Sequence, residues 1–391
     1  MSLESVHLSR FLHTADWQIG RLFQTLHADN AVPLAEARLG AVERLASLAN
    51  AHRVDAVLVA GDVFDAQTVS ERTVRRLFNA MAGYSGPWLL LPGNHDAALT
   101  ESVWTRAERM GVLSPNVHLL LTPEVRVFPE AGFAVLPAPL TQRHTFADTT
   151  QWFDAAETPA DLLRIGLAHG SVQGLLAEDI DAPNPIAPDR PRTARLDYLA
   201  LGDWHGCKIV GPRLAYSGTP EPDRFRSAEA GQALLVEIDA PGAEPRITPL
   251  AVGRFRWAAW PVALQVPSDL DALLDRLDAL GPQDVIDLSV SGATDLAGLQ
   301  RLQVALARAE AQARHLQADL GALRLQPTDE DLAALQADGY LGEVLAELRQ
   351  TLAAPGLDEA ARETAQDALA LLAAELLARP AAAGTPAGEG R

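Results

Sequence analysis

Residues 56–65 have the sequence AVLVAGDVFD, in which a glycine and two aspartates follow an apolar run. The run is short and rich in valine, so it predicts a buried β-strand. Helical spacing of apolar residues precedes it at residues 34–51, and a second helix is predicted from an N-cap at Ser70 to about Met81. Further strands are predicted at residues 11–13, 88–91, 133–136, 163–168, 198–201, 214–216 and 233–238. Parallel βαβ units followed by closely spaced strands indicate an α/β sandwich.

A second region begins near residue 256, where the apolar pattern changes. From there strand-like and helix-like segments alternate, which predicts a small βαβαβ domain followed by helices. Its predicted segments are strand 262–266, helix 270–280, strand 285–290, helix 296–316 and strand 322–325, and the later helices are 330–352 and 358–377. The last residues are rich in Ala, Gly and Pro and are expected to be disordered. The expected regions are therefore 1–255, 256–327 (βαβαβ), 328–379 (helical) and 380–391 (disordered).

The charge balance argues against a protein that binds nucleic acid by global attraction. The net charge is −19, and Lys208 is the only lysine. Nucleic-acid binders usually carry a basic surface, so a DNA substrate would have to be met by local arginines and metal ions. No apolar stretch reaches the roughly 18 residues of a membrane span, and no secretion signal opens the chain. One cysteine, Cys207, excludes an internal disulfide, which fits a cytoplasmic location.

Polar residues follow the predicted strands at five places. These are Asp16-Trp17-Gln18, Gly61-Asp62-Val63-Phe64-Asp65, Gly93-Asn94-His95-Asp96, His169-Gly170 and Gly202-Asp203-Trp204-His205-Gly206. Ligands bind at strand ends of open α/β sheets, so these segments are expected to converge on one edge. A single aspartate after a strand is more often a helix cap. Several aspartates gathered together would repel one another unless cations lay between them.

The order of these segments resembles that of the calcineurin-like metallophosphoesterases, which carry Asp-x-His, Gly-Asp-x-x-Asp, Gly-Asn-His-Asp, His and Gly-His-x-His. Residues 13–21, HTADWQIGR, look like the opening of the SbcD-like DNA-repair exonucleases. Residues 216–222, YSGTPEP, are similar to the Gly-Ser/Thr-Pro-Glu segment that follows the last metal motif of those nucleases. The resemblance implies a two-sheet αββα sandwich, with the βαβαβ domain as a cap and C-terminal helices after it.

The resemblance also implies a site for two divalent metal ions. Asp62 would bridge them. Metal one would take Asp16, Gln18 and His205, and metal two would take Asn94, His169 and Asp203. His95 would be catalytic, stabilising the charged transition state or protonating the leaving oxygen. Three arginines near the motifs are candidates for gripping phosphate, although solvated surface arginines are an equally good interpretation: Arg21, Arg224 and Arg226.

Two positions depart from the family pattern. Gln18 and Asp203 stand where histidines are usual. Two nitrogens thus become two oxygens, which favours harder ions, Mn²⁺ or Mg²⁺, over Zn²⁺. The added anionic charge makes the ions poorer Lewis acids, so Mn²⁺-dependent activity with an alkaline optimum is expected. A harsher interpretation is that the site has lost its activity.

The leading functional expectation is Mn²⁺-dependent hydrolysis of DNA in repair, exonucleolytic and aided by an SMC-like ATPase subunit. The acidic charge favours an alternative, a phosphodiesterase acting on nucleotides or other small substrates. A third hypothesis is a non-catalytic scaffold of a repair complex. No membrane association is expected, and a homodimer is left open. Trp17 and Trp204 adjoin the metal motifs and could either stack on bases or pack in the core.

Overall fold

Two six-stranded mixed sheets dominate the computed structural model, which describes residues 8–175, 183–225, 229–328, 331–332 and 340–378. The first sheet has the spatial order β14-β13-β1-β2-β3-β4. Its strands are Ser9–Thr14 (β1), Ala56–Val59 (β2), Trp88–Leu90 (β3), Val117–Leu119 (β4), Gln232–Ile238 (β13) and Arg246–Ala251 (β14). Strands β1 to β4 run parallel, whereas β13 pairs antiparallel with both β1 and β14.

The second sheet has the order β11-β12-β10-β7-β6-β5. Its strands are Arg126–Phe128 (β5), Phe133–Ala138 (β6), Leu163–His169 (β7), Tyr198–Gly202 (β10), Lys208–Gly211 (β11) and Leu214–Tyr216 (β12). The four central strands are parallel, and the edge strands β5 and β11 are antiparallel to their neighbours. A separate two-stranded pair joins Ser171–Val172 (β8) to Pro185–Ile186 (β9).

Helices cover the outer face of the first sheet more fully than that of the second. Three helices pack on the first sheet: Ala28–Ala51 (α1), Glu71–Met81 (α2) and Val103–Arg109 (α3). The second sheet is covered by the one-turn helix Arg190–Thr193 (α4) and the 3₁₀ turn Gln151–Asp154. Side chains of both sheets meet in a shared apolar layer between them. The αββα sandwich that the sequence predicted is therefore confirmed.

Local sequence explains most of the helix boundaries. The hydroxyl of Ser70 accepts a hydrogen bond from the backbone N–H of Thr73, so α2 begins where the N-cap signal predicted. Helix α1 begins six residues before the predicted start, where the His27 side chain caps it by accepting a hydrogen bond from the Asp29 N–H, and Pro33 lies inside the helix.

The second compact unit, Ala258–Arg391, is separate from the first, Met1–Trp257. A three-stranded sheet of order β15-β16-β17 packs against two helices, as the βαβαβ pattern predicted. The elements are Arg256–Leu264 (β15), Pro267–Asp278 (α5), Asp284–Thr294 (β16), Leu296–Gln312 (α6) and His315–Leu325 (β17). Two more helices, Tyr340–Ala353 and Glu359–Ala378, share a small apolar cluster with Leu296 and Leu332.

Several predicted boundaries in this unit differ from the structure: β15 and β17 begin six and seven residues before the predicted strands, and α5 begins three residues early. The helix expected to run to residue 316 ends at Gln312, and strand β17 begins at His315. Ala309, Ala313 and Leu316 are all buried and keep helical spacing across the junction, so periodicity alone does not reveal the break. Part of the predicted helix 330–352 and the predicted disordered tail 380–391 lie outside the described residues. None of the helices among the described residues combines the length and apolar character that a membrane span requires.

Replacing Phe11 by alanine tests the shared layer between the sheets. The Phe11 side chain is fully buried and its ring contacts the rings of Phe133 and Tyr198. We expect the Phe11→Ala variant to lose about 3–5 kcal/mol of unfolding free energy, because a cavity replaces the ring. Urea unfolding measures the loss. Val127→Ala, at an exposed site on edge strand β5, should change stability by only about 0.5 kcal/mol. Equal effects of the two substitutions would contradict the assignment of the core.

Candidate metal centre

The carboxyl ends of the parallel strands bring the motif loops together. The loop after β1 bonds to the loop after β2: the Asp16 N–H donates to the Gly61 carbonyl at 3.0 Å, and the Gln18 N–H to the Asp62 carbonyl at 2.9 Å. The loop after β10 joins them from the other sheet, because the Asp203 N–H lies 3.1 Å from Asp16 Oδ1. The site is thus built at one edge of the sandwich, from both sheets.

His169 lies at the centre of one group of donor atoms. Its Nε2 is 3.3 Å from Asn94 Oδ1, 3.6 Å from Asp62 Oδ1 and 3.8 Å from Asp203 Oδ1. Ligands about 2.1 Å from a common ion and near 90–110° apart lie roughly 3.0–3.4 Å from one another. The carbonyl of Ala60 accepts from His169 Nδ1 at 2.8 Å and so leaves Nε2 directed into the group. The Asn94 distance falls in this range and the two carboxylate distances are 0.2–0.4 Å longer, so the donor types suit a divalent ion and a small movement of the carboxylates would give the required spacing.

Asp16 and Gln18 form the adjoining part of the site. Asp16, Asp62 and His169 each offer an atom within 4.8 Å of the others, and all three are buried. The Gln18 amide nitrogen donates to Asp62 Oδ2 at 2.8 Å, while its oxygen is buried without a hydrogen-bond partner. A buried polar atom without a partner costs free energy, so an oxygen held this way fits a ligand to a cation. The residues present therefore fit a metal centre.

The pKa values of Asp16, Asp203 and His169 are all raised at this buried point, where negative charge is concentrated. Burial, with the nearby charges of Asp62 and Asp203, raises the pKa of Asp16 to about 6. Burial also raises the pKa of Asp203. Burial alone would lower the pKa of His169, but the carboxylates of Asp62, Asp16 and Asp203 raise it to about 9. Without a metal ion, a proton on His169 therefore offsets part of the negative charge that cations would otherwise offset.

The backbone of the site is strained in a consistent way. Asp16, Gln18, Asp62 and Asp203 all have positive φ angles, of 54°, 49°, 52° and 99°. Such conformations are uncommon for residues other than glycine and cluster at functional sites. Gly93 allows the neighbouring loop to approach Asp62 closely, because a Cβ at this position would lie only 2.2 Å from Asp62 Oδ1. The loops are held in costly conformations that aim the side chains at one point.

His95 lies beside the centre without joining the group around His169. Its Nδ1 donates to the Asp65 carbonyl at 2.7 Å, and its Nε2 is 3.9 Å from Asp62 Oδ2. The ring is 29% exposed, so one edge faces solvent. Asp96 holds this loop in place, because its carboxylate accepts from the N–H groups of Gly93 and Phe64.

A buried ion-pair network that the sequence did not predict lies behind His205. Asp223 Oδ1 lies 3.2 Å from His205 Nδ1, and its Oδ2 lies 3.2 Å from Arg38 and 3.3 Å from Arg21. Burial would raise the pKa of Asp223, but His205, Arg38 and Arg21 together hold it well below its ordinary value. Asp223 directly follows the segment YSGTPEP, yet no spacing in the sequence links it to Arg38 on α1.

The predicted phosphate-gripping arginines have different surroundings. Arg21 Nη1 lies 3.6 Å from Asp65 and 3.3 Å from Asp223, so it is already paired. Arg224 lies 3.4 Å from His205 Nε2 and is half exposed. Arg226 lies outside the described residues. Of the two flanking tryptophans, Trp17 is buried against Trp88 while Trp204 is exposed.

Comparison with known proteins agrees with this geometry. Residues 9–193 match the family model for the calcineurin-like phosphoesterases. The SbcD component of nuclease SbcCD from Rhodobacter capsulatus is 32% identical over 331 residues, covering 70% of this chain and 78% of the relative. Its counterpart from Escherichia coli K12 is 28% identical over 268 residues, with 64% of the relative covered. The Bacillus subtilis 168 counterpart is 23% identical over 280 residues, with 67% covered.

The family match and the donor set together imply that this site uses divalent metal ions. The extent of the similarity to the Rhodobacter protein, more than three quarters of its length, settles the classification. This chain belongs to the SbcD-like family of calcineurin-like metallophosphoesterases.

Proposed function

We propose that this chain hydrolyses DNA phosphodiester bonds with two divalent ions, Mn²⁺ or Mg²⁺, as the nuclease component of a repair complex with an SMC-like ATPase. The observation that carries the proposal is the group of oxygen and nitrogen donors around His169 Nε2, next to Asp16 and Gln18. The relatives support the nuclease assignment, since each is named as a component of nuclease SbcCD.

The proposed ligand sets are those that the family resemblance implies, and the grouping of donors around His169 supports one of them. Asn94, His169 and Asp203 would hold one ion, Asp16, Gln18 and His205 the other, and Asp62 would contact both. Two ions in such a site polarise the phosphoryl oxygens and activate water for an in-line displacement. Asp62 is suited to the bridging position because its two oxygens face different partners, His169 on one side and Gln18 on the other.

His95 is proposed to act on the leaving oxygen. Because its Nδ1 proton is committed to the Asp65 carbonyl, only Nε2 is available to the substrate. A protonated His95 would donate from Nε2 to the departing alkoxide, and the same positive charge would stabilise the transition state. The backbone bond from the His95 N–H to Asp62 Oδ1, 2.9 Å long, fixes the ring relative to the bridging carboxylate.

Local positive charge at the site offsets the acidity of the whole chain. Arg224 is exposed beside His205. Lys208 follows His205 in the sequence and is the first residue of strand β11. These cations allow a polyanion to approach despite the net charge of −19. The disordered tail, the homodimer and the cytoplasmic location remain predictions, as does the division of the later residues into a cap and an ATPase-binding segment.

A phosphodiesterase for small nucleotides is the second candidate, and one cavity favours it. A pocket of about 330 Å³ opens beside His95, lined by Asn94, Leu99 and Arg143 among others. This volume is at the lower end of small-molecule sites, about right for one nucleotide. Cleavage of small diesters by a protein that leaves DNA intact would favour this candidate.

Substitutions of Asp62 and His95 separate metal binding from catalysis. Asp62→Ala should lose both bound Mn²⁺ and nuclease activity on single- and double-stranded DNA, because the bridging carboxylate is gone. His95→Ala should keep its Mn²⁺ and lose about 10²–10⁴-fold in turnover. Metal analysis and a nuclease assay on the same preparations test both. A protein that never binds metal would instead support a scaffold, and a fully active His95→Ala variant would remove His95 from the mechanism.

Gln18→His tests the origin of the metal preference. The wild type should be most active with Mn²⁺ at alkaline pH, because Gln18 and Asp203 supply oxygen where the family usually has nitrogen. Histidine at position 18 should raise Zn²⁺-supported turnover relative to Mn²⁺-supported turnover. The measurement is the ratio of the two rates across pH. The idea is wrong if wild-type protein is fastest with Zn²⁺ at neutral pH.

Asp223→Asn tests whether the buried network positions His205 for metal binding. A carboxylate behind a ligating histidine fixes its ring and raises its basicity, and its loss typically weakens metal affinity by about 10–100-fold. Calorimetric titration with Mn²⁺ should show a loss of this size in Asp223→Asn. Asp239→Asn, which removes an exposed carboxylate paired with Arg246, is the matched control. Unchanged affinity in Asp223→Asn would mean that His205 binds no ion.

A further inference from the structure

Trp204 differs from the other tryptophans of this chain in being exposed. Its side chain is 37% exposed, whereas Trp17, Trp88 and Trp104 are buried almost completely. The remaining three are half-buried and each packs against an aromatic ring or an arginine. A large aromatic side chain left in water forgoes hydrophobic stabilisation, and aromatic residues placed this way are frequent in binding sites.

Trp204 is adjacent in sequence to two proposed ligands of the candidate metal centre. It lies between Asp203 and His205, so its Cα is about 3.8 Å from the Cα atoms of two proposed ligands. Asp203 is anchored by its N–H to the Asp16 carboxylate, and His205 by Asp223. The backbone on both sides of Trp204 is therefore held, which limits how far its ring can lie from the proposed ligands.

A positive charge accompanies the ring. Lys208 Nζ lies 5.0 Å from the centroid of the Trp204 ring, a cation–π contact. Lys208 is the only lysine in a chain of net charge −19. Ile209, the next residue, is also exposed, at 49%. An aromatic ring with a cation over one face matches the two parts of a nucleotide, since a base can stack on the opposite face and the phosphate can pair with the cation.

We propose that Trp204 stacks on a nucleobase next to the phosphate held at the metal centre, with Lys208 meeting a neighbouring phosphate. The inference rests on the proposed nuclease function and defines its substrate further. Bases inside a duplex already stack on their neighbours, so a free face for Trp204 is found only on an unpaired base or on the last base of a strand. The substrate that suits this contact is therefore a single strand or a DNA end.

The test compares Trp204→Ala with wild type on two single strands that differ only in their bases. One strand is an ordinary oligonucleotide, and the other carries abasic residues at the cleaved end. With Mn²⁺ present, KM for the ordinary strand should rise about fivefold or more in Trp204→Ala, as expected for one lost stacking contact. The rise should shrink on the abasic strand, because the base that Trp204 would hold is absent.

Two further variants separate stacking from damage to the site. Trp204→Phe keeps an aromatic face and should recover most of the affinity for the ordinary strand. Val127→Ala removes an exposed apolar side chain at the opposite edge of the same sheet and should leave both KM values at the wild-type level. Bound Mn²⁺ is measured in every variant, because a shift of Asp203 or His205 would lower it.

Equal losses on the two strands would overturn the inference, because they would show that Trp204 supports the loop or contacts a protein partner. Wild-type KM in Trp204→Ala would overturn it as well. If wild-type protein cleaves neither strand with Mn²⁺, the proposed nuclease function fails first, and the stacking role fails with it. The two failures are distinct, since the first is visible in the wild type alone.

Discussion

Carboxylates that repel one another are gathered at a buried point of this sandwich, and the rest of the site depends on that arrangement. Asp16 and Asp62 offer donor atoms within 4.8 Å of each other, and Asp203 approaches from the second sheet. Two unit charges 4 Å apart interact by about 4 kcal/mol at the effective dielectric near a protein surface. Several such repulsions rival the entire folding stability of a domain. Positive charge at this point, from protons or from metal ions, is therefore a structural requirement.

Backbone geometry and a second layer of hydrogen bonds hold these mutually repelling groups in place. Left-handed conformations at Asp16, Gln18, Asp62 and Asp203 persist because neighbouring loops bond to one another across the sheet edge. The Asp62 carboxylate accepts hydrogen bonds from both the Gln18 side-chain amide and the His95 backbone N–H. Function and strain occur at the same residues, since an unstrained loop would not direct four side chains to one place.

Much of the fold and the centre was predictable from local patterns. Short apolar strands followed by glycine and polar residues placed the motif loops, and Ser70 placed the start of α2. The family resemblance supplied the expected ligands, and the structure places Asn94, Asp62 and Asp203 within 3.8 Å of His169 Nε2. Edge strands such as β4 and β5 have few residues and no clear alternation, so periodicity could not find them.

The ion-pair network behind His205 could not be predicted from the sequence, for a different reason. Asp223 and Arg38 are distant in the chain, and nothing in the spacing of either residue marks an ion pair. Tertiary packing alone brings helix α1 against the loop that carries Asp223. For the same reason the sequence could not distinguish Trp17, which is buried in the core, from Trp204, which is partly exposed.

The pairing of β1 with β13 has a consequence for how the protein is made on the ribosome. His13 of β1 lies opposite Leu234 of β13, so one side of the first strand has no neighbour until the nascent chain has grown past that point. Asp203 and His205 also emerge late. The loop after β1 can bond to the Asp62 loop early, but Asp203, on the loop after β10, joins it only once the second sheet has formed. Pairing between such distant segments is slow and exposes unfinished edges to aggregation. The group of donor atoms is therefore complete only when both sheets have closed around the loops.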